Sequence, residues 1–153
     1  MEVQIRQATA GDEQAFLGLS VGLSMFNRAH RDFGPLENHL KDRIKRNGEL
    51  FRAKDEQQLI LLAESNEETI GYALCNYFES RGAVIGYLDE LYVKEEARGL
   101  GAGRRLMHAC VEWMKAKGVC RVTLNAFSFN EHALAFYEKE GFHVYALSLE
   151  KHI

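Results

Sequence analysis

The stretch Arg98-Gly99-Leu100-Gly101-Ala102-Gly103 decides how this chain is read. It follows Val84 to Val93, a run rich in β-branched and aromatic residues. It precedes Leu106, Cys110, Trp113 and Met114, which fall on one side of an amphipathic helix. A glycine turn between a strand and a helix brings out the unpaired N–H groups of the helix start, with their partial positive charge. Without Cβ atoms in the way, a phosphate can reach the backbone itself. Arg98 and Arg104 add nearby cationic charge. Spacing excludes two nucleotide readings. A nucleoside-triphosphate loop needs a lysine followed by Ser or Thr, and the chain has no such pair. In a dinucleotide fingerprint counted from Gly99 the third glycine falls on Arg104, and counted from Gly101 it falls on Leu106.

Working outward, the chain before the loop opens with an alternating strand, Val3 to Gln7. Thr9 and Asp12 give a capping signal for a helix whose buried face is Phe16, Leu19, Leu23 and Phe26. After a break at Phe33-Gly34-Pro35, Leu36, Leu40 and Ile44 mark the apolar face of a second helix that ends near Asn47-Gly48. Leu59–Ala63, Thr69–Phe78 and Val84–Val93 read as three strands joined by hairpins, hence antiparallel. Downstream, Lys117-Gly118 closes the helix that the glycine turn opens. Arg121–Ala126 is a strand, Asn130–Glu140 a helix, and Phe142–Leu149 a final strand. The expected fold class is mixed α/β, ordered β-α-α-β-β-β-α-β-α-β, with a mostly antiparallel central sheet flanked by helices. The 153 residues read as one domain, 1–153.

Composition narrows the function classes. Nineteen basic residues against 22 acidic ones leave a net charge of −3, which lacks the basic excess of a nucleic-acid binder. No apolar run approaches the roughly 20 residues of a membrane span. The start has no signal-peptide anatomy, so a cytoplasmic location is the expectation. Cys75, Cys110 and Cys120 form no paired motif; small buried thiols are expected, not a disulfide or a metal site.

Arg98, Gly101 and Gly103 fill the pattern Arg/Gln-x-x-Gly-x-Gly/Ala, and here the chain resembles the GNAT superfamily of N-acetyltransferases. Two further elements stand in the family's order. The strand Asp89-Glu90-Leu91-Tyr92-Val93 runs directly into the loop, and Asn130-x-x-Ala133-x-x-Phe136-Tyr137-x-x-x-Gly141-Phe142 follows one helix and one strand later.

The resemblance implies a splayed sheet and acetyl-CoA as cosubstrate, with no metal. It implies the CoA pyrophosphate on the amides of Gly99, Leu100, Gly101, Ala102, Gly103 and Arg104, and the pantetheine arm along Leu91, Tyr92 and Val93. The Val93 N–H would polarise the thioester carbonyl. Asn130, with Ala133 and Phe136, would line the CoA arm, and Tyr137 would protonate or hydrogen-bond the departing thiolate. An ammonium acceptor must lose a proton before it attacks, and Asp89 and Glu90 are the candidate bases. On a regular pleat they point to opposite faces; Glu90 is favoured, and a bulge would change the choice. The first two helices and their connection, Phe26 to Phe33, are expected to cover the acceptor. Three functions follow from the resemblance: acetylation of a small cationic amine, for which the acidic pair argues; acetylation of a peptide N-terminus or lysine; or acyl-CoA binding without catalysis. A homodimer, its C-terminal strands paired, is a further expectation.

Overall fold

The computed structural model of the chain describes residues 2–29, 31 and 34–153. Its elements are β1 (Gln4–Gln7), α1 (Glu13–Arg28), α2 (Leu36–Arg52), β2 (Gln58–Ser65), β3 (Glu68–Ser80), β4 (Ala83–Val93), α3 (Ala102–Ala116), β5 (Arg121–Leu124) and α4 (Glu131–Lys139). One sheet runs in the order β1-β2-β3-β4-β5. The first four strands are antiparallel and β5 lies parallel to β4. The mixed, mostly antiparallel architecture expected from the sequence is the one observed.

The sheet is covered on both faces, which is why β2 reads as an unbroken apolar run. Leu59, Leu61 and Ala63 face α3 and pack with Ala73, Cys75, Leu88, Leu106 and Cys110. Ile60 and Leu62 point the other way and pack with Phe16, Leu19, Tyr72 and Leu74 under α1. The ring of Phe16 meets that of Tyr72 edge-on, with centroids 5.3 Å apart. Asp12 closes the turn into α1. Its carboxylate accepts from the Thr9 N–H at 2.7 Å and is gripped by both terminal nitrogens of Arg6. The Arg6 hydrogen bonds hold its pKa well below the usual carboxylate range.

Three expectations are corrected. Asn47-Gly48 does not end α2, which continues to Arg52. Both residues are buried, and the Asn47 amide is held by Ser20 and Glu90, so tertiary contacts override a local stop signal. Nor does α2 turn Leu36 and Ile44 inward: both are exposed. The stripe His39, Arg43 and Asn47 faces α1 instead, where His39 meets Ser24 at 3.2 Å and Arg43 and Asn47 bond Ser20. Two buried serines and a buried glutamate need polar partners more than two aliphatic side chains need cover. Finally, Phe142–Leu149 joins no sheet, so the predicted sixth strand is absent. Of the cysteines, Cys75 and Cys110 are buried as expected, and Cys120 is exposed.

Candidate active site

The site is built where β4 leaves its neighbours. β5 pairs with β4 only from Ile85 to Leu88. Beyond that point Asp89 to Val93 keep β3 on one side and, among the described residues, have no strand on the other. The Lys94 N–H bonds the Ile70 carbonyl at 2.8 Å, which sets the alternation along this edge. Tyr92 therefore directs its N–H toward β3, while Leu91 and Val93 direct theirs into the open side. The Val93 carbonyl points the same way and is capped by the Arg98 Nε at 3.1 Å. The guanidinium then lies 5.1 Å from the centroid of the Phe26 ring.

At the mouth of this opening α3 begins. Gly99 and Gly101 have φ values of +88° and +80°, in the left-handed region that glycine adopts without strain. Among the described residues nothing lies within 4 Å of where a Cβ at Gly101 would stand, so this backbone faces open space. The first α3 amides to find a backbone acceptor belong to the helix ladder, with the Arg105 N–H on the Gly101 carbonyl at 3.1 Å. Among the described residues, the N–H groups from Gly99 to Arg104 make no backbone hydrogen bond. They form a set of donors at the positive end of a 15-residue helix, which is the chemistry a pyrophosphate needs. Gly103 packs on the Val93 side chain, 3.8 Å from its would-be Cβ, tying the donors to β4. The Arg104 side chain is not aimed at this cradle; it pairs with Glu140 at 2.9 Å, which His108 also contacts.

The predicted α4 residues converge on the same core. Phe136 and Tyr137, like Leu91 and Val93, pack against the buried cluster that includes Ala102 and Leu106. Asn130 caps α4, its side-chain oxygen accepting the Ala133 N–H at 3.2 Å. That bond leaves the Asn130 amide NH2 for another partner. Tyr137 lies against Phe136 and Phe142. Burial, then the Cys110 thiol, pushes its pKa up to about 12, so the hydroxyl keeps its proton at neutral pH. Among the described residues that hydroxyl has no hydrogen-bond partner.

The acidic pair does not obey the simple pleat. Leu74 pairs with Glu90 and Cys75 with Leu88, so Asp89 is the extra residue of a bulge. Both carboxylates therefore reach α2: Asp89 bonds Arg46 at 3.3 Å, and Glu90 pairs with Arg43. Glu90 is 8% exposed and also accepts from the Tyr72 hydroxyl at 2.9 Å and the Asn47 amide at 3.3 Å. Asp89 is more open. Burial, and next the charge of Glu90, raise its proton affinity above the ordinary carboxylate value, with Arg46 opposing. The two arginines also balance the acidic charge that the sequence presented as a bare negative patch.

Arg43 and Arg46 are the site residues that sequence reasoning missed. The available signal was the i, i+4 spacing of His39, Arg43 and Asn47, which sets a polar stripe opposite Ser20 and Ser24. Of the connection from Phe26 to Phe33, residues His30, Asp32 and Phe33 lie outside the described residues. Arg31 lies over Phe127 and pairs with Glu150 through both terminal guanidinium nitrogens. Among the described residues no cluster of His, Cys, Asp and Glu is placed to hold a metal ion, and no helix is long and apolar enough to cross a membrane.

Comparison with known proteins agrees with this geometry. YhfO of Bacillus subtilis (strain 168), described as an uncharacterized N-acetyltransferase, is 32% identical over 142 residues, 92% of this chain and 89% of that one. N-alpha-acetyltransferase 30 of Schizosaccharomyces pombe is 34% identical over 82 residues, 53% of this chain and 55% of its own. The solved structure of PaiA N-acetyltransferase from Thermoplasma acidophilum in complex with coenzyme A superposes with a TM-score of 0.82 at 21% identity, covering 97% of this chain and 94% of that one. Residues 23–142 match the model of the Acetyltransferase (GNAT) family, and the chain belongs to that family of acetyltransferases.

Proposed function

We propose that the chain moves an acetyl group from acetyl-CoA to the primary amine of a small molecule, by direct attack. One observation supports the reading: the donor set at Gly99–Arg104 is tied by Gly103 to Val93, at the end of the β4 edge whose outward groups at Leu91 and Val93 have no strand beside them among the described residues. Acetyl-CoA supplies the activated acyl group. The chain's own residues do the rest. The amides of Gly99 to Arg104 bind the pyrophosphate, and the Asn130 amide NH2 and the outward groups of Leu91 and Val93 hold the pantetheine arm. The Val93 N–H donates to the thioester oxygen as negative charge develops there.

In this proposal Asp89 takes the proton of the incoming ammonium and Glu90 positions the wall. The preference for Glu90 gives way because its carboxylate is already bound by Arg43, Tyr72 and Asn47. Asp89 combines exposure with raised proton affinity, which makes it the better acceptor. A tyrosine near 12 cannot readily surrender its proton to a thiolate whose own pKa is about 8.5. Tyr137 therefore stabilises the leaving thiolate by donating a hydrogen bond. The Arg31–Glu150 pair ties the connection after α1 to the segment after α4, and this closure favours a compact acceptor over an extended peptide.

A peptide N-terminus is the second reading, favoured by the likeness to N-alpha-acetyltransferase 30. CoA release measured with acetyl-CoA and a panel of small amines and peptides separates them. Turnover with small amines supports the proposal. Turnover with peptides alone supports the second reading, and tight CoA binding with no turnover on any amine contradicts both.

A further inference from the structure

We infer that Arg46 binds an anionic group of the acceptor, and that the amine acetylated here is that of an α-amino acid. The inference rests on the reading of Asp89 as the group that takes the ammonium proton, and it specifies the small molecule. The two arginines of α2 differ in how fully they are used. Arg43 is mostly buried, and its donors are spent on Glu90, the Ser20 carbonyl and the Ser20 hydroxyl. The Arg46 side chain is 55% exposed. One terminal nitrogen reaches a single oxygen of Asp89 at 3.3 Å, and the other donates to the Asn47 side-chain oxygen at 3.0 Å. Two of its five N–H donors are used there, which leaves three. Among the described residues Asp89 is the only carboxylate paired with it.

The position of Arg46 narrows the kind of acceptor. Asp89 is the bulged residue of β4, on the stretch that β5 no longer covers. The nearby Tyr87 hydroxyl feels the charges of both Asp89 and Arg46, and it accepts from the Asn125 amide at 3.2 Å, just past the end of β5. Arg46, Asp89, Tyr87 and Asn125 thus come together from α2, β4 and the end of β5. An ammonium that meets Asp89 there has a guanidinium beside the same carboxylate.

The charge count during the reaction then selects among acceptors. At first Arg46 faces an ionised Asp89. When an N–H bond of the ammonium breaks, the proton forms an O–H bond on Asp89, and the nitrogen keeps the electron pair that attacks the thioester. Asp89 is then neutral, and Arg46 has lost its carboxylate partner. A carboxylate on the acceptor restores the pair across the free guanidinium donors. In an α-amino acid the amine and the carboxylate share one carbon, so the two groups reach adjacent partners together. A polyamine brings a further positive charge toward the arginine, which repels it. The expectation of a purely cationic acceptor counted Asp89 and Glu90 without the arginines that face them.

Initial rates of CoA release from acetyl-CoA test this on matched acceptors: a set of α-amino acids, their α-amides, spermidine and glucosamine 6-phosphate. The best amino acid should exceed its own amide in kcat/KM by at least ~30-fold, the scale of a hydrogen bond between charged groups, with most of the difference in KM. Arg46→Met should shrink that ratio to within ~3-fold, and Arg46→Lys should restore part of it. Amides or spermidine used as well as the amino acids overturn the inference and leave the small-amine reading standing. A preference for glucosamine 6-phosphate, whose anion is remote from its amine, overturns it likewise, and so does a ratio that survives Arg46→Met. No turnover with any small amine overturns the small-amine reading and this inference with it. The ratio in the original protein does not depend on any variant folding.

Discussion

Replacing Arg43 with Met keeps the length of the side chain and removes its charge from the centre of the buried polar seam. The Arg43 and Glu90 side chains are 15% and 7% exposed, so this pair is not screened by water. Arg43 also donates to the Ser20 carbonyl at 2.8 Å and to the Ser20 hydroxyl at 3.0 Å. Its loss leaves a buried carboxylate with only the Tyr72 hydroxyl and the Asn47 amide. Removing one partner of a buried ion pair costs about 3–5 kcal/mol, because the remaining charge is uncompensated. Glu90 keeps two neutral donors, so the lower end, ~3 kcal/mol, is the expectation here. For a chain of this length that corresponds to a drop in Tm of roughly 6–12 °C. Urea unfolding of Arg43→Met, Glu90→Gln and the double variant measures it. The double variant should recover at least ~1.5 kcal/mol relative to the sum of the singles, because Gln at 90 leaves no bare charge. A loss under ~1 kcal/mol for Arg43→Met, or no recovery in the double variant, would refute the reasoning.

Asp89→Asn should lower kcat/KM most near neutral pH, with the deficit shrinking as pH approaches the ~10 of an alkylamine. Because the folded state raises Asp89's proton affinity, ionising it costs stability as pH rises through its pKa, so this variant should be no less stable than the parent at pH 7. Tyr137→Phe should cut kcat by roughly ten- to a thousand-fold with CoA affinity and Tm unchanged, and a parental kcat would reduce Tyr137 to a packing residue. Asp12→Asn should cost about 1 kcal/mol at pH 7 through loss of the Arg6 pair and the turn into α1. Since Asp12 is more acidic folded than unfolded, that stability is present above pH ~4 and fades below it, and thermal melts of the two proteins should converge as the pH falls.

What the sequence revealed, and what it hid, divides along physical lines. Local signals were enough wherever one segment carries the whole pattern: Phe16 and Leu19 on the buried face of α1, the doubly covered run of β2, the glycines that open α3. The bulge at Asp89 was not legible, because it depends on which residues of β3 close the ladder on either side of it. Arg43 and Asn47 looked like the solvated side and the end of a helix. Their partners, Ser20 and Glu90, come from two other elements, so the reason for burying them is spread over the chain. Phe142–Leu149 has every local mark of a strand, and alternation alone cannot supply the edge it needs.

The most direct measurement is calorimetric titration of CoA into the original protein and into Gly101→Glu. At φ +80° the new side chain strains the backbone by about 1–2 kcal/mol, while its Cβ meets no atom within 4 Å. The fold should therefore survive, as circular dichroism at low temperature would verify. The carboxylate would stand over the amides of Gly99–Arg104, and CoA affinity should fall at least ~100-fold through lost donors and charge repulsion. Unchanged affinity in a folded Gly101→Glu protein would contradict the placement of the pyrophosphate on this loop, and with it the account of the site.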